Sequence, residues 1–91
     1  MIRTVRAKAT EFKIHAPNAK KVSIGGTFNN WDIKANPARK DSQGKWVAKL
    51  NLKPGRYEYK FFIDGSWVND NSCSGCVTNA FGTQNCIREI K

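Results

Sequence analysis

A hydrophobic period of two recurs along this chain and limits it to strands. In "KWVAKLNL", Trp46, Ala48, Leu50 and Leu52 fall on one side, with Lys45, Lys49 and Asn51 on the other. In "RYEYKFFID", Tyr57, Tyr59, Phe61 and Ile63 alternate with Glu58, Lys60 and Phe62. Phe12 and Ile14 alternate with Lys13 and His15, and Val22 and Ile24 with Lys21 and Ser23. Successive side chains of a strand point to opposite faces, so each run reads as a half-buried strand. No segment has the spacing of an amphipathic helix.

The punctuation agrees. "APNA" after His15 ends the first strand, and "DSQG" before Lys45 is a turn with Asp first and Gly last. "KPG" at Lys53–Gly55 suits a type II turn, with Pro54 fixing φ and Gly55 taking φ > 0. "DG" at Asp64–Gly65 signals a two-residue hairpin. Short strands at this spacing predict an all-β antiparallel sandwich. The longest irregular segment is expected at Asn69–Gly82.

At 91 residues the chain is read as one domain, 1–91, without linker or repeat. A chain of this size buries about 60–65 % of its unfolded surface. No window approaches the ~18 apolar residues of a membrane span. The opening "MIRTVRAKAT" has no apolar run behind its charges, so it does not read as a signal peptide, and a soluble, cytoplasmic protein is expected. The net charge of +9 raises the question of nucleic acid. The basic residues are scattered, with "KK" at Lys20–Lys21 and "ARK" at Ala38–Lys40 the densest places, which suits a solvated surface better.

Cys73 and Cys76 form a C-x-x-C pair, and Cys86 follows. Such spacing suits a redox pair, half a zinc site or a local disulfide. A fourth zinc ligand would have to be the distant His15, and the helix that lowers a redox thiol's pKa is missing from "DNSCSGCVTNAFG". The three are expected as free or opportunistically bridged thiols in a loop. No metal or other cofactor is expected.

The aromatics carry the functional signal. Trp46 is in phase with the core. Trp31 follows "GGTFNN", a turn-like composition with no strand period to place the indole inside. Trp67 lies on the return strand of the Asp64–Gly65 hairpin, near the outward Lys60 and Phe62. An exposed indole, a lysine and an aromatic on one open face would form a platform. It would suit a ligand with apolar faces and polar edges, either a pyranose or a nucleobase. The plainer alternative is that both tryptophans are partly buried packing residues and Lys60 a solvated strand lysine.

"VSIGGTFNNWD", "GKWVAKLNLKPGRYEYKFFIDGSWVND" and "FGTQN" together resemble carbohydrate-binding module family 48 from about Phe12 to the C-terminus. That family includes the glycogen-binding domain of the AMP-activated protein kinase beta subunit. It also includes the N-terminal domains of isoamylases, branching enzymes and related glycoside hydrolase family 13 proteins. The resemblance implies an immunoglobulin-like, early-set sandwich that binds α-1,4-glucans: glycogen, starch or maltooligosaccharides. It implies stacking by Trp31 and Trp67, expected as two coplanar plates displayed to water, and polar contacts from Lys60, Thr83 and Asn85. Phe81 stands where kinase-type domains carry a leucine, and this bulkier ring either stacks or narrows the groove. For Thr83 and Asn85 a turn-building role is the competing reading. The chain departs from the family where Asn71, in place of a proline, follows Asp70, and in the loop "NSCSGCVTNA".

Catalysis is not expected. Glycoside hydrolysis uses two carboxylates flanking the bond, one with a raised pKa. Of the seven acidic residues, Asp64 and Asp70 are expected nearest the platform, Asp64 as a turn former and Asp70 solvated in a loop. His15 has no nucleophile paired with it, and the barrel of family 13 enzymes cannot fit this length. The expected partners are an α-glucan and a glycogen-metabolising enzyme or kinase in trans, with no membrane. Two other functions compete: a protein-interaction module that has lost the sugar site, and, disfavoured, a basic binder of single-stranded nucleic acid.

Overall fold

A computed structural model describes residues 7–70, 73 and 75–91. The expectations placed on the first six residues and on Asn71 lie outside the described residues. The chain forms β1 (Lys8–His15), β2 (Val22–Gly26), β3 (Arg39–Lys40), β4 (Lys45–Leu52), β5 (Gly55–Ile63), β6 (Ser66–Val68), β7 (Cys76–Thr78) and β8 (Gln84–Ile90). These make two antiparallel sheets. One has the order β1-β4-β3, the other β2-β5-β8-β7 with β6 also on β5. The expected all-β antiparallel sandwich is the observed fold. Among the described residues no helix is long and apolar enough to cross a membrane.

The alternation read from the sequence sets the two inner faces. Phe12, Trp46, Ala48, Leu50 and Leu52 from the first sheet meet Val22, Ile24, Tyr59, Phe61 and Cys86 from the second. Each large apolar side chain sealed there contributes about 1.5–3 kcal/mol. Phe12 packs edge-on against Tyr59 with ring centroids 4.8 Å apart. The Trp46 indole N–H donates to the Ala16 carbonyl oxygen at 2.9 Å, so the one polar atom of that ring is satisfied.

Several local expectations change. Gly25 and Gly26 are not turn residues; they end β2, opposite Lys60 and Tyr59 of β5. Gly55 has φ 158°, nearly extended, and opens β5; a type II turn would need about +80° there. The Lys53–Pro54 bend therefore carries the chain from one sheet into the other. The segment 69–82 is not wholly irregular, because β7 lies inside it. Cys86 is not in a loop; it is a strand residue buried in the core. The Asp64–Gly65 hairpin forms as expected. Both residues have positive φ, 47° and 89°, and Ile63 pairs with Ser66. The Asp64 carboxylate also accepts the backbone N–H groups of Lys20 and Lys21, which fastens the hairpin to the β1–β2 connection.

Candidate functional site

The outer face of the five-stranded sheet is set by register. Gly25 of β2 opposes Lys60 of β5, Ser23 opposes Phe62, and Phe62 opposes Trp67 of β6. On the far side, Asn85 of β8 opposes Val77 of β7. Residues directly opposite share a face, so strand pairing brings Gly25, Lys60, Phe62 and Trp67 to one surface.

Trp67 is held there by three contacts. Its ring packs on Phe62 at 5.0 Å between centroids, reaches across β5 toward β2, and meets the Trp31 ring at 6.0 Å. Gly25 makes this possible. A Cβ built on Gly25 would stand 2.7 Å from the far edge of the Trp67 ring. Strand glycines often mark such close approaches. Trp67 remains 43 % exposed.

Trp31 arrives from the loop that follows β2. Asn30 and Trp31 have φ of 55° and 60°, a left-handed conformation in which a bulky residue is rare. The amide of Asn29 holds that loop. Its Oδ1 accepts the Gly26 N–H at 3.0 Å, and its Nδ2 donates to the Ile24 carbonyl at 3.1 Å and to Asn36 Oδ1 at 2.8 Å. The Trp31 N–H donates to the Gly26 carbonyl at 2.9 Å. Phe28 turns inward onto Phe12, leaving Trp31 to the outer face. The two tryptophans are adjacent but not coplanar: their rings cross at 77°. The coplanar platform is thus corrected to a corner, because one indole comes from a loop and the other from a strand.

The polar half of the site is a second cluster. Lys60 Nζ donates to Thr83 Oγ1 at 3.1 Å. Asn79 organises the β7–β8 turn. Its Nδ2 donates to Thr83 Oγ1 at 2.7 Å and to Asn85 Oδ1 at 2.9 Å, while its Oδ1 accepts the N–H groups of Phe81 and Thr83. Thr83 Oγ1 accepts from two donors and keeps its own proton to give. Asn85 lies lower, 5 % exposed, with its amide donating to Glu58 Oε1 at 3.2 Å. Phe81 stands at the tip of the turn, 91 % exposed.

The family described as the glycogen recognition site of AMP-activated protein kinase matches residues 9–91. The chain belongs to that family. It is 46 % identical over 72 residues to the 5'-AMP-activated protein kinase subunit beta-2 of Mus musculus, covering 79 % of this chain and 26 % of that protein. It is 41 % identical over 86 residues to subunit beta-1 of Rattus norvegicus, covering 94 % of this chain and 30 % of that subunit. Against the human beta-1 subunit the identity is 40 % over 86 residues, covering 94 % of this chain and 30 % of that subunit. The chain thus spans under a third of the length of these curated relatives. Within this glycogen-recognition family it is a non-catalytic carbohydrate-binding module.

The carboxylates of this module differ from expectation. Asp70 is not solvated; it is 9 % exposed, and its carboxylate accepts the Tyr59 hydroxyl at 2.9 Å. Burial and that carboxylate together hold the Tyr59 phenol above the usual tyrosine range. Asp64 is occupied with the Lys20 and Lys21 amides. Glu58, two residues before Lys60 on the outer face of the five-stranded sheet, is instead the acid bonded to Asn85. Sequence reasoning missed Glu58, Asn79 and Gly25. The period-two pattern could have found Glu58, since it shares the outward phase of Lys60. Asn79 and Gly25 carry turn-like composition that hid their roles. Among the described residues no group of His, Cys, Asp and Glu could hold a metal ion.

Proposed function

We propose that the outer face of the five-stranded sheet binds α-1,4-linked glucans: glycogen, starch or maltooligosaccharides. Trp31 and Trp67 stack on the apolar faces of glucose rings, while Lys60, Thr83, Asn85 and Phe81 line the chain's edge. The observation that carries this reading is the pair of indoles 6.0 Å apart at 77°, Trp67 exposed and Trp31 half-buried, beside the Lys60–Thr83 pair. Successive rings of an α-1,4-glucan turn relative to one another, and a corner of two rings follows such a curved chain. A flat β-1,4 ribbon would need parallel plates. Thr83 offers a hydroxyl proton, Lys60 keeps ammonium protons beyond the one given to Thr83, and Asn85 forms the floor.

Titration with maltoheptaose or β-cyclodextrin, followed by tryptophan fluorescence, tests the reading. Trp31→Ala or Trp67→Ala should each remove about 2 kcal/mol or more of affinity if the rings are hot spots. Cellohexaose should bind far more weakly than maltoheptaose. Unchanged affinity in both variants would reject the assignment. Neutral stacking should also respond little to salt, whereas a nucleic-acid site would weaken steeply. The relatives' names place their own chains in a kinase. We infer that this domain likewise delivers a cytoplasmic kinase, or a glycogen-metabolising enzyme, to glucan.

A further inference from the structure

Three thiols gather on the side of the glucan hairpin away from the tryptophans, and the function above uses none of them. Cys86 of β8 is sealed in the core, and Cys76 opens the edge strand β7 and is exposed. Cys76 and Cys86 are direct partners across the β7–β8 ladder. The ladder also fixes which kind of pair they are. The Ile87 N–H donates to the Gly75 carbonyl at 2.9 Å, and the Asn79 N–H to the Thr83 carbonyl at 2.7 Å. Hydrogen-bonded and non-hydrogen-bonded pairs alternate in an antiparallel ladder, so Cys76 and Cys86 form a non-hydrogen-bonded pair. Such pairs bring their Cα atoms to about 4.5 Å. A disulfide tolerates about 4.4–6.8 Å.

Neither sulfur is otherwise committed covalently. The Cys76 thiol donates to Gln84 Oε1 at 3.0 Å, and the Cys86 thiol to the Asp70 carbonyl at 3.3 Å. Cys73 approaches from the loop, its N–H on the same Asp70 carbonyl at 3.1 Å.

We propose that Cys76 and Cys86 are a thiol–disulfide exchange site whose substrates are small-molecule disulfides, and that the resulting cross-link clamps the hairpin bearing Asn79, Phe81 and Thr83. Cys76 meets the oxidant, because it is the exposed member; burial pushes the Cys86 thiol up to about 12 and keeps it from attacking first. The Cys76 thiolate attacks one sulfur of the small disulfide, whose S–S bond breaks and releases one thiol. The Cys86 thiolate then attacks the Cys76 sulfur and releases the second. The two protein thiols give up two electrons and two protons, which leave on the two small thiols. The hairpin would gain most from this link, because β7 is three residues long and, among the described residues, pairs only with β8.

The clamp's effect on sugar rests on the glucan site proposed above, whereas the cross-link does not. The full chain is treated with oxidised glutathione, digested without reductant and mapped by mass spectrometry. A Cys76–Cys86 peptide is expected, absent in Cys76→Ser and retained in Cys73→Ser. A Cys73–Cys86 link, or no intramolecular link, overturns the assignment. Maltoheptaose titration of reduced and oxidised chain then reads the clamp. Affinity should rise about two- to fivefold through preorganisation, reversibly with dithiothreitol, and not in Cys76→Ser. A cross-linked chain that binds no tighter than its reduced, binding-competent form overturns the clamp. A reduced chain that binds no glucan defeats the glucan reading and leaves the mapping to decide the thiol site.

Discussion

Gly25 and Trp67 compete for one space: the volume a side chain on Gly25 would fill is taken by the edge of the indole, 2.7 Å from where a Cβ would sit. The neighbouring glycine is different. A Cβ on Gly26 would stand 2.5 Å from the Glu58 backbone carbonyl oxygen and 2.7 Å from the Phe28 ring. One glycine makes room for the site, the other for the sheet.

The pair therefore separates binding from folding. Gly25→Ala should leave the fold near its present stability, since a strand alanine regains about 0.5–1 kcal/mol of the glycine's entropic cost. It should displace the Trp67 ring and weaken maltoheptaose binding about tenfold, or ~1.4 kcal/mol. Gly26→Ala should lower the unfolding midpoint in urea by a clear margin, because a backbone atom cannot yield as a ring can. Equal loss of stability in the two variants would contradict this division.

Asn29 should act on Trp31 without touching ligand. Its amide makes bonds to Gly26, Ile24 and Asn36 that keep Asn30 and Trp31 in the left-handed region. A bulky residue there costs about 1–2 kcal/mol, a strain the surrounding bonds must offset. Asn29→Ala should cost about 2–3 kcal/mol in urea unfolding, at roughly 1 kcal/mol per hydrogen bond. It should also blunt the fluorescence response of Trp31 to maltoheptaose. Unaltered stability would show that the loop holds itself.

Asn79 plays the same part for the polar half. Removing it takes one of two donors from the Thr83 hydroxyl and the side-chain acceptor from the Phe81 and Thr83 amides. The turn lies at the sheet's edge, so Asn79→Ala should shift the thermal midpoint only a few degrees while lowering glucan affinity about tenfold. Thr83→Val, which keeps the shape and loses the hydroxyl, should reproduce much of the affinity loss without the stability loss. Full affinity in both would remove the β7–β8 turn from the site.

The strands that position this site were legible because β4 and β5 alternate over eight and nine residues. Strands β3 and β7, of two and three residues, are too short to show a period, and β7 hides in a cysteine- and asparagine-rich stretch. Lys60 and Trp67 could be placed on one face by phase and hairpin position, and Trp31 beside them only through the family resemblance, but the angle between the indoles could not. It follows from a loop entering from β2 and a ring crossing from β6, which is tertiary information. The same holds for Asp70. Its local sequence reads as solvent-exposed, and only the fold brings the Tyr59 hydroxyl to it. Gly25 was misread because glycine signals a turn in local reasoning, while its role here depends on a residue more than forty positions away.

Two buried groups set a limit at alkaline pH. Burial pushes the Cys86 thiol up to about 12, and burial with the Asp70 hydrogen bond raises the Tyr59 phenol above its ordinary range. In the unfolded chain these groups ionise near about 8.5 and about 10. Where the folded pKa is the higher one, the unfolded state holds fewer protons in the window between, and stability falls as pH rises. The contribution is complete below about pH 8.5. It should be lost progressively above that, first through Cys86 and then also through Tyr59, at no more than about 1.4 kcal/mol per pH unit for each group. Thermal midpoints under reducing conditions should be level from pH 6 to 8 and drop between 9 and 11. Tyr59→Phe should lower the midpoint at pH 7, since Asp70 loses the Tyr59 donor, yet flatten the decline above about pH 10. A decline as steep in Tyr59→Phe as in the parent chain would assign the alkaline loss to other groups.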